Sequence, residues 1–190
     1  MKTTKNKPCE FLEGNQIFLR PLTESDVDGE YGNWLNDPEV CAQNSHAVFP
    51  LCRDNLIEYV RRVRNSQSEV VLAIIAKIDN RHIGNVALQN IHWINRSAEF
   101  AMLLGAKDCW GQGYGTQAAA IMVQHGFNAL GLRRITFGTF EANLAVRNIA
   151  AKLGFVEEGL RRKAVFKNGI YVDVVEFGLL KDEFKNIKHA

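Results

Sequence analysis

The segment Trp110-Gly111-Gln112-Gly113-Tyr114-Gly115-Thr116 lies between a β-rich run, Arg96 to Leu104, and a helical one, Tyr114 to Leu130. A helix start leaves amide N–H groups without partners and carries the positive end of the helix dipole, and three close glycines let a ligand approach the backbone. That combination favours a phosphate-bearing ligand. The spacing is G-x-G-x-G, so the dinucleotide fingerprint G-x-G-x-x-G is not met, and no Gly-Lys-Ser/Thr follows to make a P-loop. NAD and nucleoside triphosphates are therefore disfavoured. Taken alone, a glycine-rich strand-to-helix turn fits ordinary turn chemistry equally well, and the flanking chain has to decide.

Upstream, Ile17-Phe18-Leu19-Arg20-Pro21 reads as a strand, and Thr23-Glu24-Ser25-Asp26 supplies side-chain oxygens to start a helix running towards Trp34. Arg53 to Asn65 places Leu56, Tyr59, Val60 and Val63 at helical spacing. Val70 to Lys77 and His82 to Leu88 are strands about a turn at Asp79-Asn80. From Arg96 to Leu104 the residues alternate, with Ala98, Phe100, Met102 and Leu104 bulky on one face and Ser97, Glu99, Ala101 and Leu103 on the other. Downstream, Arg134 to Phe140 is a strand and Leu144 to Leu153 a helix stopped by Gly154. Phe155 to Arg161 and Tyr171 to Leu180 then pair about Asn168-Gly169. The expected class is α+β, with a central, mostly antiparallel mixed sheet, about four flanking helices and one β-α-β crossover.

The chain has 190 residues, 46% of them hydrophobic, which suits one domain. Residues 1–15 read as a tail and 16–190 as the domain. With 23 Lys+Arg against 21 Asp+Glu, the net charge of +2 gives no support for direct nucleic-acid binding. The longest apolar run, Val70 to Ala76, is far below the roughly 20 residues of a membrane span. No secretory signal is evident, and Cys9, Cys41, Cys52 and Cys109 form no C-x-x-C pair, so a cytoplasmic protein without a metal site is expected.

Trp110-Gly111-Gln112-Gly113-Tyr114-Gly115 resembles the pyrophosphate loop of the GNAT acyl-CoA N-acyltransferases, with Trp at the position usually held by Arg or Gln. Glu141-Ala142-Asn143 followed by Lys152-Leu153-Gly154-Phe155 is similar to the family's CoA-arm helix and its exit. Leu19-Arg20-Pro21-Leu22, Trp34-Leu35-Asn36-Asp37-Pro38-Glu39-Val40 and Asn168-Gly169-Ile170-Tyr171-Val172-Asp173 resemble the branch holding ribosomal-protein-alanine and spermidine N-acetyltransferases. The likeness runs from Ile17 to Leu180.

The resemblance implies the GNAT fold and acetyl-CoA as co-substrate. The amides of Gly111, Gln112, Gly113, Tyr114, Gly115 and Thr116, with Trp110, would hold the pyrophosphate. The backbone around Leu103, Leu104 and Gly105 would meet the pantetheine arm, as would Asn143, which also suits a helix N-cap before Leu144. Glu99 would be the general base, because only a neutral amine attacks a thioester and a lysine-type amine has an unperturbed pKa of about 10.4. The competing reading of Glu99 is an exposed carboxylate paired with Arg96 or another cation. The positions at which relatives place a proton donor are Val146 and Ala150 here, so the general acid is unassigned, with Tyr171 a weak substitute.

The implied acceptor is a primary amine, either a protein N-terminal α-amine or a small molecule, and the protein a monomer or homodimer. The absent acid makes a non-catalytic acyl-CoA-binding or regulatory module the alternative. The basic stretches at 61–64 and 161–167 read as solvated faces, the second also as a possible attraction for the CoA 3′-phosphate. Trp34, Trp93 and Phe49 are candidates for a substrate cleft, with core packing expected of at least two.

Overall fold

The computed structural model describes residues 10–185, and their framework is an eight-stranded sheet in the order β1-β2-β3-β4-β5-β6-β8-β7. The strands are β1 (Leu12–Glu13), β2 (Ile17–Pro21), β3 (Val70–Ala76), β4 (Arg81–His92), β5 (Ser97–Leu104), β6 (Arg134–Phe140), β7 (Val156–Lys167) and β8 (Ile170–Leu180). The helices are α1 (Glu24–Val27), α2 (Tyr31–Asn36), α3 (Arg53–Arg64), α4 (Tyr114–Asn128) and α5 (Leu144–Leu153). All pairs are antiparallel except β5 with β6, which α4 connects as a crossover.

Two boundaries differ from expectation. Leu12 and Glu13 pair with Leu19 and Phe18, so the sheet reaches into the segment taken as a tail. Residues 1–9, with Cys9, and 186–190 lie outside the described residues. The single helix expected from Thr23 to Trp34 is two, α1 and α2, because Gly29 in the connection is a poor helix former and α1 is pinned at Asp26. The turn at Asn168-Gly169 holds both residues at positive φ, 50° and 84°, the conformation a two-residue hairpin demands.

α4 covers one face of the sheet, with Met122, Val123 and Phe127 at 0–1% exposure. α1, α2 and α3 cover the other over the open half. Trp34 in α2 packs flat on Gly105, where a Cβ would come within 1.9 Å of its indole, so only glycine allows that approach. Trp34 is thus core, whereas Trp93 and Phe49, at 53% and 79% exposure, are not, which corrects the expectation that at least two of the three would be.

A buried charge fastens α1 to the sheet. Arg20 of β2 donates from two nitrogens to Asp26, at 2.8 and 2.6 Å, and Asp26 also accepts from Thr23 N and Thr23 Oγ1 at 2.8 and 2.9 Å. Burial raises the Asp26 pKa, but these donors outweigh it and the net shift is downward. His82 lies beside it, its Nδ1 3.6 Å from Asp26 Oδ1, and its Nε2 is 2.9 Å from both Gly84 O and Asn85 Oδ1. With two acceptors facing Nε2, the proton sits there. Burial holds the His82 pKa below the ordinary value despite the Asp26 carboxylate.

Both shifts act in one direction. The folded form refuses a proton that unfolded His82 takes up near pH 6.5, so stability falls as pH drops from there towards the depressed folded pKa. Asp26 stabilises above its unfolded pKa near 3.9 and loses that contribution at lower pH. Chemical denaturation is expected to give a lower unfolding free energy at pH 5 than at pH 7, and His82→Gln, which keeps an N–H donor, a smaller difference. His46 and His125, also depressed by burial, supply the remainder.

Candidate active site

β5 and β6 pair only at Ser97↔Arg134, Ala98↔Ile135 and Glu99↔Thr136, although β5 continues to Leu104 and β6 to Phe140. Beyond Glu99 the two strands part, and a cavity of about 560 Å³ opens there. Its walls near the fork include Glu99, Phe100, Met102, Phe137, Thr139 and Val146. It continues across β4 over Ala87 and Asn85 to Tyr31 and Leu56. One cavity therefore joins the open edge of β5 to the face under α1–α3.

Glu99 stands at the fork. A bulge between Gln89 and His92, with Asn90 at φ 52°, turns the Asn90 amide onto Glu99, and Nδ2 donates to Oε2 at 2.8 Å. Oε1 makes no hydrogen bond among the described residues and is open to a ligand. Arg96 does not pair with Glu99; its guanidinium reaches Gly131 O at 3.4 Å. Its small neighbours on this face, Ala101 of β5 and Ala87 of β4, line the cavity beside it.

The glycine-rich loop sits at the far end of β5. Gly113 caps α4 at φ 88° and Gly111 lies at 73°, both in the left-handed region. Gln117 N is the first amide of α4 with a backbone acceptor, Gly113 O at 3.0 Å, and none of the amides from Gly111 to Thr116 has one among the described residues. A run of unpaired donors at the N-terminus of a 15-residue helix is a cradle for an anion of pyrophosphate size. Trp110, 40% exposed, donates its indole N–H to Leu104 O at 2.8 Å and so ties the loop to the strand end. An Arg or Gln side chain has the reach for such a tie but not the same rigid plane.

The open edge of β5 differs in detail from expectation. Gly105 N donates to Ile83 O at 2.9 Å, so its amide is spent on β4. By strand alternation the free backbone groups towards the fork belong to Met102 and Leu104, and the Leu104 carbonyl is taken by Trp110. Leu103 instead lines the cavity with its side chain. Asn143 is the N-cap of α5, its Oδ1 accepting from Val146 N at 3.3 Å, and it lines the cavity as well.

Val146 faces the cavity and Ala150 is buried at 1% exposure, so neither offers a proton. Tyr171 is 65% exposed on the outer hairpin, where it packs on Phe166, and it does not line the cavity, which removes it as a substitute acid. The sequence analysis missed Tyr31, Asn85, Gln89 and Thr139. Asn85, Ala87 and Gln89 alternate with Val86 and Leu88, and that polar parity on β4 was the available signal. Of the basic stretches, Arg61 is engaged by Glu24 at 2.9 Å and Arg62 by Glu69.

The profile of the acetyltransferase (GNAT) domain matches residues 16–156. The chain belongs to the GNAT acetyltransferases. Spermidine N(1)-acetyltransferase of Vibrio cholerae is 32% identical over 104 residues, which are 55% of this chain and 60% of that protein. The uncharacterized N-acetyltransferase p20 of Bacillus licheniformis is 29% identical over 178 residues, 92% of this chain and 98% of that protein. The crystal structure of the Vibrio cholerae spermidine N-acetyltransferase with CoA and spermine superposes with a TM-score of 0.81 at 25% identity, covering 88% of this chain and 97% of that one. The chain is accordingly an N-acetyltransferase with acetyl-CoA as co-substrate and an amine as acceptor. No helix of the described residues is long and apolar enough to cross a membrane.

Gly113→Ala tests the loop. A side chain at φ 88° strains the helix start by about 1–2 kcal/mol and disturbs the donors around it. Calorimetry is expected to show acetyl-CoA affinity reduced about tenfold or more in a folded variant. Unchanged affinity would remove the loop from the cofactor site.

Proposed function

We propose that Glu99 is the general base of acetyl transfer, that the amides of residues 111–116 hold the CoA pyrophosphate, and that the pantetheine arm enters along Met102 and Leu104 with Asn143 beside it. The observation that carries this reading is the fork itself, where a carboxylate with one open oxygen stands at the last of the three parallel rungs between β5 and β6. The acyl group delivered down the open edge of β5 then meets an amine arriving over Ala87 and Ala101.

The steps follow from that placement. The amine nitrogen attacks the thioester carbon while its proton passes to Glu99, directly or through one water. The carbonyl oxygen takes up the charge of the tetrahedral intermediate, stabilised by backbone N–H groups at the open edge of β5. Collapse breaks the C–S bond and releases the CoA thiolate, which leaves without an obligatory acid because a thiol pKa is about 8.5. Proton removal and positioning, in this scheme, carry more of the catalysis than proton delivery. A cytoplasmic location and either a peptide α-amine or a small-molecule amine are consistent with it.

Glu99→Gln keeps the hydrogen bond from Asn90 in size and removes the proton acceptor. Turnover of a high-pKa amine is expected to fall by roughly 10²–10⁴, with acetyl-CoA affinity nearly unchanged. The deficit is expected to shrink as pH rises and solution supplies more neutral amine. A pH–rate profile of both enzymes measures it. A loss equal at every pH would make Glu99 a positioning residue.

A further inference from the structure

The end of the cavity remote from Glu99 is polar but carries no anion. Asn85 faces Leu103 across the β4–β5 ladder, four residues from Glu99 on the same face, which sets the two ends about 13 Å apart along the strand. Tyr31 of α2 is buried, and its hydroxyl lies against the Asn85 side chain. Asn85 Oδ1 is occupied by His82, and Nδ2 has no hydrogen-bond partner among the described residues. Burial raises the Tyr31 pKa, so the phenol is a permanent O–H.

Among the cavity-lining residues Glu99 is the one carboxylate; the other polar groups there are neutral amides, hydroxyls and His46. Of the carboxylates that act on the lining tyrosines from outside, Asp26 beside Tyr31 is saturated by Arg20 and Thr23 and has His82 in front of it, and Glu69 beside Tyr59 is paired with Arg62, so neither is free to receive a cation. A second ammonium group brought to the Tyr31 end would be desolvated opposite no anion, which is costly. A carbonyl or hydroxyl oxygen there would instead meet the Tyr31 O–H, with the Asn85 amide beside it.

Resting on the site assignment above, we propose that the acceptor is a monoamine bearing a neutral oxygen remote from its amine, that Tyr31 is the residue selecting for that oxygen, and that polyamines are poor substrates. The oxygen has two sources, the backbone carbonyls of a peptide N-terminus or the hydroxyls of a small amine such as an amino-sugar. The selectivity is thus opposite to what the name of the Vibrio cholerae relative describes for that protein.

The test is CoA-thiol release with an uncharged tetrapeptide amide, glucosamine, n-hexylamine and spermidine, for the wild type and Tyr31→Phe. The wild type is expected to use the peptide or the amino-sugar at least tenfold more efficiently, in kcat/KM, than spermidine, and which of the two leads identifies the source. Tyr31→Phe, which preserves the ring packing, is expected to cut kcat/KM for that oxygen-bearing acceptor about tenfold and to leave n-hexylamine within twofold. Spermidine as the best acceptor would overturn the proposal while leaving the acetyl-transfer site intact. An equal loss for all amines would overturn it too, placing Tyr31 in the chemistry. Release from no amine would remove the site assignment and the proposal together.

Discussion

The parallel contact between β5 and β6 stops after Glu99↔Thr136, and most of what is functional in the fold follows from that stop. β5 remains held by β4 as far as Leu104, and β6 remains held by β8 as far as Phe140↔Val174. Each strand is therefore fixed by its outer neighbour while the inner edges separate. A wedge results that needs no strain to stay open, and its inner edge keeps backbone groups unpaired, which is costly unless water or a ligand satisfies them. α5 begins at the opening, with Asn143 and Val146 in the cavity wall, and α4 begins beside the far end of β5. Gly115 allows this closeness, since a Cβ there would already touch Met102 of β5 and Ile149 of α5 at 3.4 and 3.6 Å.

The far side of the cavity is shaped by a different interaction, the pair between Arg20 and Asp26. Buried ion pairs seldom add net stability over well-packed apolar residues, because desolvation offsets their attraction. Here the pair sets orientation. Asp26 fixes the start of α1, the short connection at Asp28–Glu30 turns the chain into α2, and α2 delivers Tyr31 and Trp34 to the sheet. His82 continues the network from Asp26 towards Asn85 and the cavity. A repacked apolar version of this corner would keep the fold and lose the defined position of the Tyr31 hydroxyl.

The sheet, its crossover and the glycine loop were legible in the sequence because they rest on local signals: alternation on β5, helical spacing in α3 and α5, and Gly at positions where the chain takes positive φ. Glu99 was legible as an outlier of charge on a face of small residues. What was not legible depends on which strand lies beside which. The parting of β5 and β6 leaves no mark in either strand, since both continue as good strand formers. Asn85 reads as one polar residue in an apolar strand until its pairing with Leu103 places it on the cavity face. Gly105 and Leu103 read as equivalent edge positions, and only the bond from Gly105 N to Ile83 O shows that their polar groups turn towards β4. The break between α1 and α2 was obscured because Tyr31, Trp34 and Leu35 continue the apolar spacing that Val27 begins.

The apolar residues at Val146 and Ala150 then have a positive role. α5 presents Val146 to the cavity beside Asn143, whose oxygen is already used to cap the helix. In the proposed arrangement a hydroxyl at 146 would offer its own hydrogen bond to the capped turn or to Asn143 and compete with the arm of the co-substrate for that amide. Valine leaves the Asn143 amide N–H₂ as the polar group of this wall, and if the thioester lies here as proposed, the apolar side chain would exclude water and strengthen hydrogen bonds to the developing oxyanion. In the proposed mechanism the amine arrives on the other face of β5, where Glu99 and Gln89 are partners across the ladder. Proton removal and charge stabilisation are in that mechanism both carried by β5, the first by the Glu99 side chain on one face and the second by the backbone along the edge that β6 leaves open.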